Sequence, residues 1–364
     1  LSHEATVSFI AFGIAFIMFW KYSLGAGAAL LVILSGGLSV SSYLAFQNLN
    51  IFAPVTLQIT IIFCGFFIFT LLRYLKEHKQ AREMRLAFEH YVPSDVVGQL
   101  VQDPSQIKLG GDRKRITVMF TDLAGFTNLA EKTGAEELSS ILNDHLNRMT
   151  KIILKNGGTL DKFIGDAIMA FWGAPIAEPL QGEKAINCAI EMQEEMQKFR
   201  SEYQGLGKPP LYMRIGLNTC EAIVGNMGGE DRFDYTAIGD GVNLAARLEG
   251  ANKAYGTEIL VSQHTLEESG NDEDFCLLDK VRVKGKTQPI KIYTISPNQK
   301  ALLMCDEFME RYSDGSWNEA IQVLNQIAEL TPLKEYAANM KIRIQKLQLD
   351  SGGNWDGITD LAKL

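Results

Sequence analysis

The 364 residues carry 35 Lys and Arg against 43 Asp and Glu, a formal net charge of -8, which disfavours nonspecific nucleic-acid binding as the main task of the chain. That average conceals unlike parts: Glu4 and Lys21 are the sole carboxylate or Lys/Arg charges before residue 73, so nearly all the ionised surface follows that point. The length leaves room for several modules rather than one core.

Three apolar runs occupy residues 5–20, 24–46 and 51–72. A helix needs about 20 residues to cross a hydrocarbon layer of about 30 Å, so the second and third runs predict membrane spans. The first predicts a shortened one, since it has neither a basic leader nor a small-residue cleavage site. A buried helical hairpin is the alternative. Arg73, Lys76, Lys79, Arg82 and Arg85, opposed by Glu77 and Glu83, form a basic flank expected to stay in the cytoplasm, which with three crossings places residue 1 outside. Cys64, Cys188, Cys220, Cys276 and Cys305 are scattered without Cys-x-x-Cys spacing, so free thiols are expected rather than a disulfide framework or a zinc site.

Residues 73–109 are expected to form a linker: a helix to residue 92 with a weak apolar seam (Leu75, Met84, Leu86, Phe88), a boundary at Pro93, and a second short helix capped by Ser94. From residue 110 to 297 the patterning alternates. A strand over Arg115–Phe120 leads into a turn at Gly125-Phe126 and a helix over Leu129–Ile153. A hairpin follows, Thr159–Ile164 and Ala167–Trp172 about Gly165-Asp166. Then come a helix over Gly182–Tyr203, strands near Leu211–Asn218, Glu221–Gly225 and Tyr235–Ile238, a helix over Asp240–Ala254, and strands near Glu258–Val261, Phe275–Val281 and Ile290–Ile295. This order predicts an α+β domain with a ferredoxin-like core. Residues 298–364 are helical in three pieces, 301–312, 316–329 and 334–348. Gly315-x-Trp317-x-x-Ala320 with Pro332 is similar to part of a tetratricopeptide repeat, which predicts a small adaptor able to take a protein partner, a cap over the preceding domain being the alternative.

Four stretches carry chemistry. In Val118-Met119-Phe120-Thr121-Asp122-Leu123-Ala124-Gly125-Phe126-Thr127 a carboxylate stands where a buried strand meets a helix start. Asp122 offers the hard oxygen Mg²⁺ prefers, the N–H groups that follow can face phosphate oxygens, and Gly125 permits close approach. A plain helix cap is the alternative for Asp122. Asp161-Lys162-Phe163-Ile164-Gly165-Asp166 displays a second carboxylate at a hairpin turn. On adjacent strands, Asp122 and Asp166 would be placed to share two metals about 4 Å apart. Thr236-Ala237-Ile238-Gly239-Asp240-Gly241-Val242-Asn243-Leu244-Ala245-Ala246-Arg247 puts Asn243 and Arg247 four apart on one helix face, suited to ribose and triphosphate. A salt bridge to Glu249 or another surface acid is the alternative for Arg247. Val281-Arg282-Val283-Lys284-Gly285-Lys286 adds Lys284 on a flexible basic turn.

Together these stretches resemble the class III adenylate and guanylate cyclases over residues 110–297, especially bacterial enzymes whose catalytic domain follows a sensor and membrane helices. The resemblance implies a homodimer with composite sites: Asp122, Asp166 and the backbone of Leu123 hold two Mg²⁺ or Mn²⁺ ions on one protomer. The other protomer supplies Lys162, Thr236, Asn243, Arg247 and Lys284. Gly125, Phe126 and Thr127 are expected beside the phosphates of ATP. By resemblance Lys162 and Thr236 read adenine, Glu and Cys being usual in guanine-specific relatives. Thr236 departs from the Asp of many adenylate cyclases. A guanylate or mixed-specificity cyclase, and a catalytically silent dimeric scaffold, are the rival readings.

Overall fold

The computed structural model describes residues 24–50, 55–89, 110–205, 207–229, 232–271, 273–283, 288–296, 298–330, 333–349 and 355–361. The chain divides into two compact units, Leu1–Ala87 and Phe88–Leu364. The first apolar run, the Pro93–Ser94 boundary and Lys284 lie outside the described residues.

In the first unit, helix α1 (Leu24–Leu49) and helix α2 (Thr56–Glu89) pack through Leu31 and Ile62, with Leu34, Leu38, Phe66 and Phe69 around them. Phe63, Phe67, Leu71 and Leu72 face outward. Among the described residues one segment, Thr56–Lys76 of α2, is long and apolar enough to cross a membrane, with 21 residues and a mean hydropathy of 1.8. That segment is the third of the three expected spans. In α1, Ser35, Ser39 and Ser41 turn their hydroxyls back onto the carbonyls of Leu31, Ser35 and Leu38.

The second unit begins with strand β1 (Gly110–Ala124), then the short helix α3 (Phe126–Ala130) and helix α4 (Ala135–Lys155). The single helix expected over Leu129–Ile153 is therefore two, because Gly134 is extended (ψ 150°) and opens α4. Strands β2 (Thr159–Ile164) and β3 (Ala167–Trp172) form the hairpin at its expected residues, with Gly165 at φ 67° in the turn. Helix α5 (Gln181–Gly205) leads to strand β4 (Tyr212–Gly229), one continuous strand where two were expected. Strand β5 (Arg232–Ile238), helix α6 (Asp240–Tyr255), strand β6 (Ile259–Ser262), helix α7 (Gln263–Ser269), and strands β7 (Phe275–Arg282) and β8 (Ile290–Ile295) follow.

The sheet order is β2-β3-β1-β4-β6-β8-β7, with β5 paired to β4. The first four strands, in the order β2-β3-β1-β4 and antiparallel throughout, with α4 and α5 as connections, form the ferredoxin-like βαββαβ core. Strand alternation assigns the two faces. Met119 and Leu123 enter the core under α4 and α5, with Ile141, Met149, Ile153, Met192 and Phe199. Ile116 and Val118 point the other way, toward Phe171, Ala237, Val242 and Ala245. Helix α6 lies tight on β4: a Cβ on Gly216 would stand 2.2 Å from the Glu249 nitrogen and 2.3 Å from the Ala245 oxygen.

Helices α8 (Gln299–Ser313), α9 (Trp317–Ile327) and α10 (Lys334–Leu349) are packed on this sheet, in the cap arrangement. Phe308, Tyr312, Tyr336 and Met340 share one core with Leu244 and Leu248 of α6 and with Cys276 and Leu278 of β7. A short strand β9 (Thr359–Asp360) then pairs in parallel with β7.

Candidate active site

Two residues before the end of strand β1, Asp122 stands directly opposite Arg214 in the β1–β4 register. The half-buried Asp122 carboxylate accepts from the Arg214 Nη2 at 2.5 Å, and the Nε of the same guanidinium donates to Glu249 at 2.9 Å. Thr121 opposite Ile168 in the β1–β3 register brings the β2–β3 turn to the same edge, and with it Asp166. Burial and the neighbouring Asp122 charge push the Asp166 carboxyl above the usual carboxylate range, while its own N–H and that of Leu123 pull it down. Glu249 is likewise raised by burial and by the two aspartates, and lowered by Arg214. Two carboxylates thus share one guanidinium and a third lies beside Asp122, which leaves the cluster short of positive charge.

That deficit is the test of metal fit. Among the described residues no group of three His, Cys, Asp or Glu side chains forms a metal cage. Mg²⁺ does not need one, because it takes one or two carboxylates and completes its shell with water and substrate phosphate. Asp122 and Asp166 fit that donor set, with the Leu123 backbone beside them. Just beyond, Gly125 at φ 85° turns the chain into α3, leaving Phe126 half-buried and Thr127 exposed at its start.

The remaining expected site residues fall elsewhere. Asn243 and Arg247 lie one turn apart on α6, both exposed, while Val242, Leu244, Ala245 and Leu248 are buried. They stand on the exposed face of α6. The expected alternative partner of Arg247, Glu249, is taken by Arg214. Thr236, on β5, is opposite Gly225 of β4, eleven ladder positions from Arg214. Its hydroxyl is drawn to β2, where it donates to the buried Asp161 at 2.6 Å, and the Lys162 Nζ lies 3.3 Å from the other oxygen of that carboxylate. One protomer therefore assembles two separate constellations, Asp122–Asp166–Arg214–Glu249 and Lys162–Asp161–Thr236, with Asn243 and Arg247 on a third, outward face.

Arg214, Glu249 and Asp161 were missed by the sequence reading. Arg214 did leave a signal, a lone cation in the apolar strand Tyr212-Met213-Arg214-Ile215-Gly216-Leu217. A charge in such a strand needs a partner, and the register supplies Asp122.

The profile of the adenylate and guanylate cyclase catalytic domain matches residues 111–297, more than half of the chain. The chain belongs to that family. The chain is 33% identical over 216 residues to adenylate cyclase 1 of Rhizobium meliloti, covering 59% of this chain and 32% of the relative. To the adenylate cyclase of Anabaena cylindrica it is 35% identical over 218 residues, covering 57% of this chain and 42% of that one. The chain thus spans less than half the length of these curated relatives. A solved bacterial light-regulated adenylyl cyclase superposes with a TM-score of 0.50 at 26% identity, with 66% of each chain covered.

Proposed function

We propose that this chain is a membrane-anchored adenylate cyclase that converts ATP to 3′,5′-cyclic AMP and pyrophosphate in a homodimer with composite sites, its catalytic domain on the cytoplasmic side. The observation that carries this reading is the separation just described: Asp122 and Asp166 face each other at one sheet edge, while Asn243 and Arg247 stand exposed on an outward helix face. Within one protomer the groups do not converge. A two-fold pair brings the metal edge of one chain to the α6 face and base pocket of the other, twice. Family membership and the named activity of the bacterial relatives support the same reaction class.

In the reaction the ribose 3′-oxygen bonds to the α-phosphorus, the bond from that phosphorus to the bridging oxygen breaks, pyrophosphate leaves, and the 3′-hydroxyl proton passes to solvent or phosphate. Asp122 and Asp166 of one protomer would hold Mg²⁺ or Mn²⁺ beside the Leu123 backbone. Bound there, such ions lower the cost of deprotonating the hydroxyl and neutralise phosphate charge. The N–H groups of Gly125, Phe126 and Thr127 face the phosphates. From the partner protomer Arg247 donates to the oxygens that gain charge, Asn243 orients the ribose, Lys284 reaches the terminal phosphates, and Lys162 and Thr236 meet the base.

The test is product formation by the purified chain, with ATP or GTP and with Mg²⁺ or Mn²⁺, beside Asp122→Ala and Asp166→Ala. Cyclic AMP from the parent and near-complete loss in both folded variants is expected. Substantial turnover by either variant across a range of metal concentrations refutes the metal assignment, and a parent that turns over neither nucleotide refutes the cyclase.

A further inference from the structure

We propose that Asp161 is the residue that makes this base pocket adenine-specific, by fixing the direction of the Thr236 hydrogen bond and the place of the Lys162 ammonium. This rests on the adenylate cyclase reading above and deepens it.

Thr236 by itself specifies nothing, since a hydroxyl donates or accepts with equal ease. What removes that freedom is its buried neighbour. The Asp161 side chain is fully buried, and its Oδ2 receives two donors, the Thr236 hydroxyl at 2.6 Å and the Ala237 backbone N–H at 3.3 Å. An amide N–H can only donate, so Oδ2 is an acceptor and the Thr236 proton is committed to it. Burial raises the Asp161 carboxyl, while Thr236, Lys162 and the Ala237 N–H lower it. With the carboxyl ionised, the Thr236 hydroxyl has this one direction. Only its lone pairs remain for a ligand.

Oδ1 lies 3.3 Å from the Lys162 Nζ, within ion-pair reach though outside hydrogen-bond geometry. That two consecutive residues of a strand meet in this way needs an explanation, because neighbours normally point to opposite faces. The β2–β3 ladder supplies it: Leu160 pairs with Ala170 and Lys162 with Met169, so Asp161 is an extra residue, a β-bulge. A bulge sets two residues of one strand against one of the other and re-aims their side chains. Here it turns Asp161 into the interior toward Thr236 and leaves Lys162, half-buried, beside it.

The resulting pattern is a fixed donor, Lys162, next to a fixed acceptor, Thr236. Adenine presents the complement on its Watson–Crick edge, an N1 acceptor beside an N6 amino donor. Hypoxanthine and guanine present the inverse, an N1–H donor beside an O6 acceptor, and would meet donor with donor and acceptor with acceptor. Buried polar groups left unpaired in this way reject a ligand far more strongly than a shape difference does.

The experiment compares kcat/KM for ATP and inosine triphosphate on the purified chain, since inosine carries the guanine edge without the extra amino group. The parent should prefer ATP. In Asp161→Ala the Thr236 proton is released and can turn to O6, so the ATP:ITP ratio should fall by about tenfold or more, mostly through KM. A merely weakened fold would lower both substrates together and leave the ratio alone. Asp161→Asn should behave differently: the amide oxygen keeps both donors of Thr236 and Ala237, and its NH₂ confronts Lys162. Both KM values should rise there while the ratio holds within about threefold. An unchanged ratio in an active Asp161→Ala enzyme overturns the proposal, and so does a collapsed ratio in Asp161→Asn; the second variant decides the matter if the first is inactive. A parent without ATP turnover, or one preferring ITP, would instead sink the adenylate cyclase reading on which the proposal stands.

Discussion

Removing the Arg343 guanidinium should loosen the C-terminal helices from the catalytic sheet, and the size of the effect can be worked from the contacts. Asp279 of β7 is fully buried, and its Oδ2 accepts from the Arg343 Nη1 at 2.9 Å and from the Tyr255 hydroxyl at 2.7 Å. Its Oδ1 accepts from the Lys280 N–H at 2.7 Å. The guanidinium also lies over the Tyr255 ring, 4.6 Å from its centroid. Arg343→Met keeps most of the volume and strands the carboxylate. Breaking a buried pair from one side costs about 3–5 kcal/mol, and the two donors that remain argue for about 3 kcal/mol. Burial already holds the Asp279 carboxyl above its ordinary range and Arg343 opposes that, so the variant should raise it further. A carboxyl with a raised folded pKa costs stability at pH above its unfolded value, and the cost is relieved as protonation proceeds on acidification. The deficit of Arg343→Met should therefore be largest near pH 8 and shrink toward pH 5. Urea unfolding followed by tryptophan fluorescence is suitable, since Trp317 and Trp355 pack on Tyr312 in this region. Adding Asp279→Leu should recover all but about 1 kcal/mol, because an apolar pair replaces an ionic one at little cost. A single variant within about 1 kcal/mol of the parent at pH 8, or a double variant no better than the single, would refute the reasoning. Tyr255 closes the helix that carries Asn243 and Arg247, so this lock also bears on the α6 face.

Composite assembly predicts complementation: coexpressed Asp122→Ala and Arg247→Ala chains, each inactive alone, form mixed dimers in which one site is intact, and up to about a quarter of parental cyclic AMP production should return when half the dimers are mixed. Verified heterodimer that stays as inactive as either variant would show that the two residues do not serve one site. His145 gives a pH prediction. It is fully buried near Phe199, neither ring nitrogen has a partner among the described residues, and burial pushes it down to about 4. The unfolded chain then binds the extra proton between its ordinary value of about 6.5 and pH 4, so this part of the stability is intact above about 6.5 and lost on acidification, to roughly 3 kcal/mol. His145→Leu should flatten that part of the stability profile over pH 4–6.5, and an unchanged acid slope in urea melts would count against it.

Much of the architecture follows from local physics. The β2–β3 hairpin is legible because two apolar runs flank a glycine that must take positive φ, and the helices of α5, α6 and the C-terminal region announce themselves by apolar period. Asp122 and Asp166 are legible for a related reason, as carboxylates where apolar strands end. Strand β4 is not. The polar stretch Asn218-Thr219 looks like a break, yet in the fold both are buried and bonded: Thr219 to Thr117 at 2.8 Å and Asn218 to the Gly241 carbonyl at 2.8 Å. Those partners are 102 and 23 residues away, beyond any local pattern. The same holds for the C-terminal helices, whose apolar faces are evident in the sequence while the surface they cover is not. Arg214 became part of the metal edge through register, Glu249 through the closeness that Gly216 permits, and Asp161 through a one-residue bulge that periodicity does not encode. Periodicity records which residues seek burial or water. Which charge meets which, and whether a threonine gives or takes its hydrogen bond, depends on groups brought together across the sheet, and that is decided only when the chain has folded.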